Sequence, residues 1–494
     1  MSRISITQNG ITRTAAAAAG ESILGFLTRN GFSVPAACGG NGKCGKCKVK
    51  LRLEDEERVV LACKTKIPDK DAVVEIENLE ADLSWNESGC GEEAKTVQKR
   101  KGLGAAADLG TTTIAAALYD LESGSLLGTK SEWNLQQSAG ADVISRIAFC
   151  MEKTCGLELL SAAARNQLKE MISELCRENG RSFEELAEVF LAGNTVMQHV
   201  FAGKDPESLA KAPFTVPCYF DDDKAYDFFG AKLCFAPCAA AYVGGDITAG
   251  LLGSGVYRKD GKNLFIDIGT NGEMALGGKD GFISCAVASG PAFEAAGIEC
   301  GMPAAAGAVS AVRINGDSLE FDVIGSCEAK GICGSGLLDL AACLVKLGII
   351  DESGYLEEDE NGDQRFYLTD KVYISQKDVR QLQLAKAAVA AGIRILMSES
   401  GAEYSDVTAF YLAGGFGNRL KPESAAAIGM IPKELVSKAA SAGNTGLAGA
   451  ESALLAPSLR GELIRIKNNC KYIELSSDSR FNDLYVEEMS FPEE

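Results

Sequence analysis

The chain has 494 residues, of which 46% are hydrophobic, so it is long enough for about three domains with sizeable cores. Its formal net charge of −19 argues against a nucleic acid or an anionic membrane surface as a partner. The single histidine, His199, excludes sites that need several imidazole ligands, such as a histidine-ligated zinc centre or a Rieske cluster. His199 lies in a helical pattern and is predicted to be structural.

Cysteine usage points to a cellular compartment. The chain contains 17 cysteines, and no charged segment followed by an apolar run marks a secretion signal at its start. No stretch of about 18 uncharged apolar residues occurs, so no membrane helix is predicted. We therefore expect a protein of the reducing cytoplasm, with no membrane partner and no disulfide framework. The abundance of thiols further indicates an anaerobic or low-oxygen cell.

Residues 1–79 are predicted to form a small α+β domain of the β-grasp type. The turn dipeptide Asn9-Gly10 favours a tight hairpin, and alternating or helical spacing of apolar residues marks the other elements. These are strands over 3–8 and 11–14, a helix over 21–30, and strands over 49–53, 59–63 and 72–76.

Four cysteines in this domain carry its chemistry. Spaced C-x5-C-x2-C-x15-C, they are Cys38, Cys44, Cys47 and Cys63. Glycines fill the gaps, as is needed where backbone wraps closely around an inorganic core. The order matches the plant-type pattern C-x4-C-x2-C…C with one extra residue in the first gap, so the domain resembles the [2Fe–2S] ferredoxins. Zinc on the same thiols is the alternative, but zinc sites usually pair two short knuckles, and Cys63 has no near partner in sequence.

The remainder of the chain contains an internal repeat. Residues 80–104 are charged and aperiodic, which is typical of a linker. Beyond them, three features occur twice in the same order. They are an Asp-x-Gly-Thr turn after an apolar strand (107–115 and 266–274), a strand ending in a small-residue turn (189–195 and 410–418), and a small-residue helix (244–252 and 443–450). We therefore predict a duplicated domain, with lobe I over 105–262, lobe II over 263–494, and a ligand cleft between them.

The two Asp-x-Gly-Thr turns predict a nucleotide site in this cleft. Each turn can present N–H and O–H groups to phosphate oxygens. Asp108 and Asp267 can hold Mg²⁺ through water, because magnesium keeps part of its hydration shell. The bare glycine backbone of residues 412–418 would let an adenosine lie against it.

Residues 105–480 resemble the ATPase superfamily of actin, hexokinase and the sugar kinases, a duplicated ribonuclease-H-like α/β fold. The resemblance implies phosphate segments at 107–120 and 265–277 and an adenosine segment at 411–418. It implies ATP and Mg²⁺ binding by Asp108, Gly110, Thr111, Thr112, Thr113, Asp267, Gly269, Thr270, Asn271, Gly414, Gly415 and Asn418. In its sugar kinases, the aspartate that opens the first connecting helix is the general base. The matching residue here is Asp246, for which a helix N-cap is the alternative role.

The whole chain resembles the ATP-dependent reductive activators of corrinoid proteins. The matching segments are the cluster loop and residues 192–195, 267–273, 288–294, 331–336 and 412–417. The resemblance implies ATP-dependent one-electron reduction of a partner's Co(II) to Co(I) in an anaerobic methyltransferase system, with the electron passing through the [2Fe–2S] cluster. No Asp-x-His-x-x-Gly motif for a cobalt-ligating histidine occurs, so the cobalamin is expected in a partner corrinoid protein.

The same resemblance implies an unidentified low-potential electron donor, and a homodimer through lobe II is a further expectation. Plant-type clusters have potentials near about −400 mV, and the cobalt couple of the family lies lower. Since each 100 mV uphill costs about 2.3 kcal/mol per electron, ATP is expected to offset the deficit.

Two other functions stay open at this point. One is a redox-regulated small-molecule kinase, motivated by Asp246. The other is a non-catalytic redox adaptor whose nucleotide is structural. Cys333, at a predicted helix start, is expected to be a buried small residue rather than a ligand of a second cluster.

Overall fold

In the computed structural model of this chain, the structure describes residues 3–8, 11–18, 20–30, 32, 34, 40, 42, 47–53, 56–76, 97–222, 224–316, 318–358 and 362–493. The predicted Asn9-Gly10 turn, the predicted ligands Cys38 and Cys44, and residues 80–96 of the predicted linker lie outside these described residues.

The N-terminal domain is a five-stranded sheet in the order β2-β1-β5-β3-β4, crossed by one helix. Ser22 caps the helix by accepting a hydrogen bond from the Gly25 N–H, and the apolar face of the helix covers the sheet. The elements are β1 Arg3–Gln8, β2 Ile11–Ala16, α1 Ile23–Arg29, β3 Lys48–Leu53, β4 Glu56–Leu61 and β5 Ala72–Glu75. The predicted β-grasp fold is confirmed. One predicted strand is shifted, because β4 ends at Leu61 and Cys63 lies in the turn that follows.

Lobe I is a six-stranded sheet in the order β10-β11-β9-β6-β7-β8, flanked by helices. Its first strand begins at Leu103, so the last two residues of the predicted linker belong to the sheet. The elements are β6 Leu103–Leu109, β7 Thr113–Asp120, β8 Leu126–Trp133, α2 Val143–Glu152, α3 Gly156–Glu178, β9 Leu186–Gly193, α4 Thr195–Phe201, β10 Tyr226–Phe228, β11 Ala231–Phe235 and α5 Gly245–Gly253.

Lobe II is a six-stranded sheet in the order β21-β20-β12-β13-β14-β22, with small accessory sheets and the long helix α7 beside it. The elements are β12 Lys262–Ile268, β13 Gly272–Gly278, β14 Gly281–Val287, β15 Ala308–Asn315, β16 Ser318–Val323, β17 Gly331–Ile332, α6 Gly334–Lys346, β18 Arg365–Tyr367, β19 Tyr373–Ser375, α7 Gln376–Ser400, β20 Val407–Ala413, α8 Gly414–Gly417, α9 Pro422–Ala427, β21 Ala439–Gly443, α10 Thr445–Leu455, α11 Arg460–Asn468, β22 Cys470–Tyr472 and α12 Ser479–Glu487.

The two lobes repeat one topology. In lobe I, β6, β7 and β8 form an antiparallel meander, and β9 and then β11 add in parallel to β6. In lobe II, β12, β13 and β14 form the same meander, and β20 and then β21 add in parallel to β12. The duplication predicted from three short sequence features therefore extends to five of the six strands in each central sheet. The sixth strands differ, since β10 pairs antiparallel with β11 in lobe I and β22 pairs parallel with β14 in lobe II.

The helices α5 and α10 join the lobes by packing directly against each other. Glycines at their crossing let the backbones touch: a Cβ on Gly449 would lie 1.9 Å from the Ala249 carbonyl oxygen, and one on Gly253 would lie 2.5 Å from the Gly449 nitrogen. Because these positions are glycines, the two lobes contact each other backbone to backbone where α5 crosses α10.

The C-terminal end of the predicted linker is anchored where these helices meet the lobes. The Gln98 N–H donates to the Leu455 carbonyl over 2.9 Å at the end of α10. The guanidinium groups of Arg100 and Arg460 both pair with Glu188, a buried carboxylate on β9. Within the described part of the chain, no helix is long and apolar enough to cross a membrane.

Candidate functional site

The predicted Asp-x-Gly-Thr turns occupy equivalent places at the edges of the two lobe sheets. Asp108 pairs with Ala192 of the neighbouring parallel strand β9, and Asp267 pairs with Ala413 of β20. Each aspartate is followed by its turn at the carboxyl end of the strand, where ligands of such sheets bind. The duplication therefore aims two equivalent carboxylates into the cleft between the lobes.

Four carboxyl groups act on one another electrostatically beside the two turns, and we call them the cleft carboxylates. They are Asp108, Asp246, Asp267 and Glu273. Burial raises the pKa of Asp108 to about 6, against a hydrogen bond with the Asn444 side chain that lowers it. Burial, and then the charge of Asp108, raise the pKa of Asp267 to about 7. Burial and the neighbouring carboxylates hold the pKa of both Asp246 and Glu273 well above the usual range.

Burial is the largest cause of each upward pKa shift, and for Asp246, Asp267 and Glu273 the charge of a neighbouring carboxylate adds to it. Buried carboxyl groups that raise one another's pKa are typical of functional sites. In the described residues, no three carboxylate, thiol or imidazole groups enclose a metal ion directly.

Asp246 lies in the first turn of α5. The N-cap of that helix is Gly244, and Asp246 Oδ1 accepts a hydrogen bond from the Ile247 N–H over 2.8 Å. The predicted alternative of an N-cap role is therefore wrong. The charges of Asp267 and Asp108 act on the Asp246 carboxylate and raise its pKa, so the three carboxyl groups lie near one another.

Glu294 joins the two turns across the cleft. The hydroxyls of Thr112 in lobe I and Thr270 in lobe II each donate to the Glu294 Oε1 over 3.2 Å. The two hydroxyl oxygens also lie 3.2 Å apart, so the lobes meet at this carboxylate. Burial raises the pKa of Glu294, against the hydrogen bonds from Thr270 and Thr112 that lower it.

The sequence motifs contained Glu273 and Glu294, but reasoning from the sequence assigned neither a role. The signal for Glu294 was a lone carboxyl group in the segment 291–297, which begins with Pro291 directly after Gly290. For Glu273 it was an acidic residue inside a strand that is otherwise buried, β13.

The predicted phosphate-binding threonines differ in where their hydroxyls point. The Thr111 hydroxyl accepts a hydrogen bond from the Asn194 amide over 3.0 Å inside lobe I, and Thr111 is buried. The Thr112 hydroxyl instead faces lobe II, and Thr113 opens strand β7. In the second turn, the Gly269 N–H donates to the Asn271 carbonyl over 2.9 Å, which closes a tight loop beside Thr270.

The predicted adenosine segment lies directly behind Asp267. Gly414 has a φ of +81°, and a Cβ at this position would lie 2.2 Å from Asp267 Oδ1. Gly414 and Gly415 open α8, whose Phe416 stacks on Phe293 with ring centroids 4.9 Å apart. The next residue after α8, Asn418, accepts a hydrogen bond from the Ser441 hydroxyl. The segment thus offers bare backbone next to the carboxylates.

Two of the four predicted cluster ligands lie together at the edge of the N-terminal domain. The sulfur atoms of Cys47 and Cys63 are 3.2 Å apart, well beyond the roughly 2.05 Å of a disulfide, and close enough to share one iron atom. A Cβ on Gly40 would lie 3.9 Å from the Cys63 Cβ, so Gly40 lies beside Cys63. The thiol pair and the adjacent loop therefore fit a [2Fe–2S] cluster.

Two residues that the sequence assigned to structure are buried. His199 is fully buried, its Nδ1 lies 2.6 Å from the Thr195 carbonyl oxygen, and burial lowers its pKa to about 4. Cys333 is buried at the N-cap of α6, with its thiol 3.3 Å from the Val309 carbonyl oxygen.

A [2Fe–2S] domain joined to a two-lobed body of the actin and hexokinase fold defines a class of redox-linked ATPases. Family models agree with this class along the chain. Residues 6–68 match the 2Fe-2S iron-sulfur cluster binding domain, residues 103–259 the RACo middle region, and residues 261–494 the C-terminal domain of RACo, the ASKHA domain.

Comparison with known proteins identifies the family within this class. The chain is 33% identical over 413 residues to the corrinoid activation enzyme RamQ of Eubacterium limosum, covering 78% of this chain and 69% of RamQ. It is 27% identical to the [Co(II) methylated amine-specific corrinoid protein] reductase of Methanosarcina barkeri, covering 78% of this chain and 77% of that one. The solved structure of a reductive activator for a corrinoid, iron–sulfur protein superposes with a TM-score of 0.72 at 30% identity, covering 100% of this chain and 98% of that one. The chain belongs to this family of corrinoid activation enzymes.

Proposed function

We propose that this protein uses ATP to pass one electron through its [2Fe–2S] cluster to a partner corrinoid protein, reducing Co(II) to Co(I). The observation that carries the proposal is the presence, in one chain, of the Cys47–Cys63 thiol pair and of a carboxylate-lined cleft whose lobes meet at Glu294. When bound, the cluster supplies a one-electron carrier.

ATP and Mg²⁺ occupy the cleft in this proposal. The charge of the cleft carboxylates would repel a bare triphosphate, so a divalent cation must accompany it. Asp108 and Asp267 hold this cation through water, and the glycine turn from Gly414 to Asn418 receives the adenosine. The phosphates lie among the residues of the two turns: Gly110, Thr111, Thr112, Thr113, Gly269, Thr270 and Asn271.

Entry of the phosphates would change the contacts between the lobes. The bonds from Thr112 and Thr270 to Glu294 occupy the space between the two turns, so a phosphate placed there must replace them. Nucleotide binding and hydrolysis would thereby favour different lobe arrangements, which is what coupling to a partner requires.

A route from the nucleotide turn to the cluster domain is built into the fold. The Gln137 side chain donates to the Thr112 carbonyl over 2.8 Å, and Gln137 lies in the 3₁₀ turn Leu135–Ser138. Cα atoms of this turn lie within 8 Å of Cα atoms in α1, the helix of the N-terminal domain. A shift of Thr112 would therefore be felt at α1 through one intervening turn.

The remaining parts of the proposal concern the cellular setting. The cobalamin resides in the corrinoid partner, and a separate low-potential donor loads the cluster. The protein works in the cytoplasm of an anaerobic cell, and lobe II forms a homodimer. Size-exclusion chromatography with light scattering, at two protein concentrations, tests the dimer.

The test mixes dithionite-reduced, desalted protein with a Co(II) corrinoid protein, with and without Mg-ATP, under anaerobic conditions. The proposal expects the Co(I) absorbance band to appear with ATP and to be weak or absent with ADP. Failure to form Co(I) with any of a panel of corrinoid proteins would overturn it.

A small-molecule kinase is the second candidate, and the cleft position of Asp246 favours it. A general base for phosphoryl transfer would raise the nucleophilicity of a substrate hydroxyl at this position. Incubation with γ-labelled ATP and a metabolite extract separates the candidates, because a kinase labels a metabolite and an activator releases phosphate to water. An absence of any ATP turnover, with or without corrinoid protein, would instead indicate a redox adaptor.

A further inference from the structure

A fully buried arginine lies beside the Asp-x-Gly-Thr turn of lobe I, on the side away from the cleft. Arg146, on α2, has no exposed surface, and within the described part of the chain its guanidinium makes hydrogen bonds only to uncharged acceptors. These acceptors are the Gly140 carbonyl, the Gln136 side-chain oxygen, the Met197 sulfur and the Thr111 carbonyl. The nearby carboxylate of Asp142 is engaged in capping α2.

Such a charge is costly to bury, because protein groups that are merely polar do not replace the hydration of a cation. Burial lowers the pKa of Arg146 to about 9, which still leaves the guanidinium protonated at neutral pH. A positive charge is therefore held inside lobe I beside a cleft that is otherwise crowded with carboxyl groups.

Residues 134–146, which include Arg146, hydrogen-bond to the backbone of the first Asp-x-Gly-Thr turn on the side away from the cleft. The Asn134 amide donates to the Gly110 carbonyl over 2.9 Å, and Arg146 Nη2 donates to the Thr111 carbonyl over 2.5 Å. The Asn134 N–H and the Gln137 side chain both donate to the Thr112 carbonyl. Three consecutive carbonyl groups of the turn thus point away from the cleft.

This arrangement fixes the donors of the turn. In a trans peptide, the C=O and the following N–H point in opposite directions. Holding the carbonyls of Gly110 and Thr111 from behind therefore directs the N–H groups of Thr111 and Thr112 to the other side, where the Thr112 hydroxyl faces lobe II.

We infer that Arg146 is a positioning residue for the triphosphate: it holds the Thr111 carbonyl so that the Thr112 N–H faces a phosphate, and its buried charge offsets the charge of that phosphate. This inference rests on the proposed ATP-dependent function. Arg146 acts through Thr111 and through the electric field of its guanidinium, without touching the nucleotide.

The test compares ATP with adenosine, which lacks the phosphates, by calorimetry on the full-length protein. For Arg146→Gln we expect the Kd of Mg-ATP to rise at least tenfold and the Kd of adenosine to stay within twofold. Arg146→Lys keeps the positive charge but loses the forked donors of the guanidinium. Its Kd for Mg-ATP should therefore lie between that of the unaltered protein and that of Arg146→Gln. Arg165→Gln is the matched control, since Arg165 lies in the same lobe and donates to the Asp227 carbonyl. It should change neither constant.

A second variant guards against misfolding at position 146. Gln136→Glu places a carboxylate where the Gln136 oxygen now lies, 3.3 Å from Arg146 Nη1, and should also weaken Mg-ATP and spare adenosine. Equal losses of affinity for Mg-ATP and adenosine, or no loss for either, would overturn the inference. The proposed function would still stand in that case, provided that the unaltered protein binds ATP. An unaltered protein that fails to bind ATP would overturn both.

Discussion

The Thr112 hydroxyl of lobe I donates a hydrogen bond to the Glu294 carboxylate of lobe II over 3.2 Å, in the gap where the two nucleotide turns face each other. The same carboxylate accepts from Thr270 of its own lobe. Glu294 therefore contacts both turns. Its hydrogen bonds, and through them its protonation, depend on the distance between the two lobes.

Replacing Glu294 with glutamine should separate binding from turnover. The amide keeps the shape of the side chain and removes a negative charge, so the KM for Mg-ATP should stay the same or fall. The charge available to orient water or a hydrated cation is lost, and kcat should fall about tenfold or more. Steady-state ATP hydrolysis measures both constants.

Glu299→Gln is the control for this variant, because Glu299 is exposed on the same loop and bonds to Tyr373. It should leave kcat and KM unchanged. A rise in KM with an unaltered kcat in Glu294→Gln would mean that the carboxylate contributes to binding of Mg-ATP and not to its hydrolysis.

The cleft carboxylates should make nucleotide binding depend on a divalent cation. Because Asp108 and part of the Asp267 population are ionised at neutral pH and repel a bare triphosphate, EDTA should weaken ATP binding by about 100-fold or more and leave adenosine binding intact. In Asp267→Asn, the repulsion is smaller, so the loss caused by EDTA should shrink. Calorimetry with and without Mg²⁺ measures this, and EDTA-insensitive binding of ATP to the unaltered protein would contradict the account.

The central fold could be predicted because its signals are local and occur twice. Asp108 and Asp267 each follow an apolar strand and precede a Gly-Thr turn, and the structure places them at equivalent edges of two equivalent sheets. The spacing of the cysteines also predicts that Cys47 and Cys63, 16 positions apart, belong to one site, and their sulfur atoms lie 3.2 Å apart.

The rest of the site depends on tertiary contacts that no short pattern encodes. Glu294 meets Thr112 from 182 positions away, and Arg146 meets Thr111 from 35 positions away. In sequence, Arg146 is one cation in an amphipathic helix, where an exposed position is the ordinary expectation. Only the packing of α2 against the turn removes its guanidinium from water.

The contact between Gly414 and Asp267 should be intolerant of any side chain. Gly414→Ala puts a methyl group 2.2 Å from Asp267 Oδ1 at a φ of +81°, so the adenosine turn or the carboxylate must move. We expect Mg-ATP affinity to fall about 30-fold or more by calorimetry. The strain alone is tested by Gly401→Ala, at a φ of +60° with no atom within 4 Å of the new Cβ. That variant should lose about 1–2 kcal/mol of stability and keep its affinity.

His199 should remain neutral across the physiological range. As the single histidine, it gives one set of imidazole proton signals, which should not titrate between pH 8 and pH 5 by NMR. Since burial lowers its folded-state pKa to about 4 from 6.5, protonation favours the unfolded chain. Its contribution to stability is present above pH 6.5 and is lost as the pH falls toward 4, by about 3 kcal/mol in all. A titration midpoint near 6.5 would show that the imidazole is solvated.

The central claim is that one chain couples ATP to electron transfer from its own cluster to a cobalt held elsewhere. Its most direct measurement follows, in one anaerobic stopped-flow experiment, the reoxidation of the reduced cluster and the appearance of Co(I) after addition of Mg-ATP. The account predicts that both signals share one rate constant, that one Co(I) forms per cluster oxidised, and that Cys47→Ala abolishes both while the buried control Cys176→Ala keeps them. Co(I) formation at an undiminished rate in Cys47→Ala, or cluster oxidation that yields no Co(I), would contradict it.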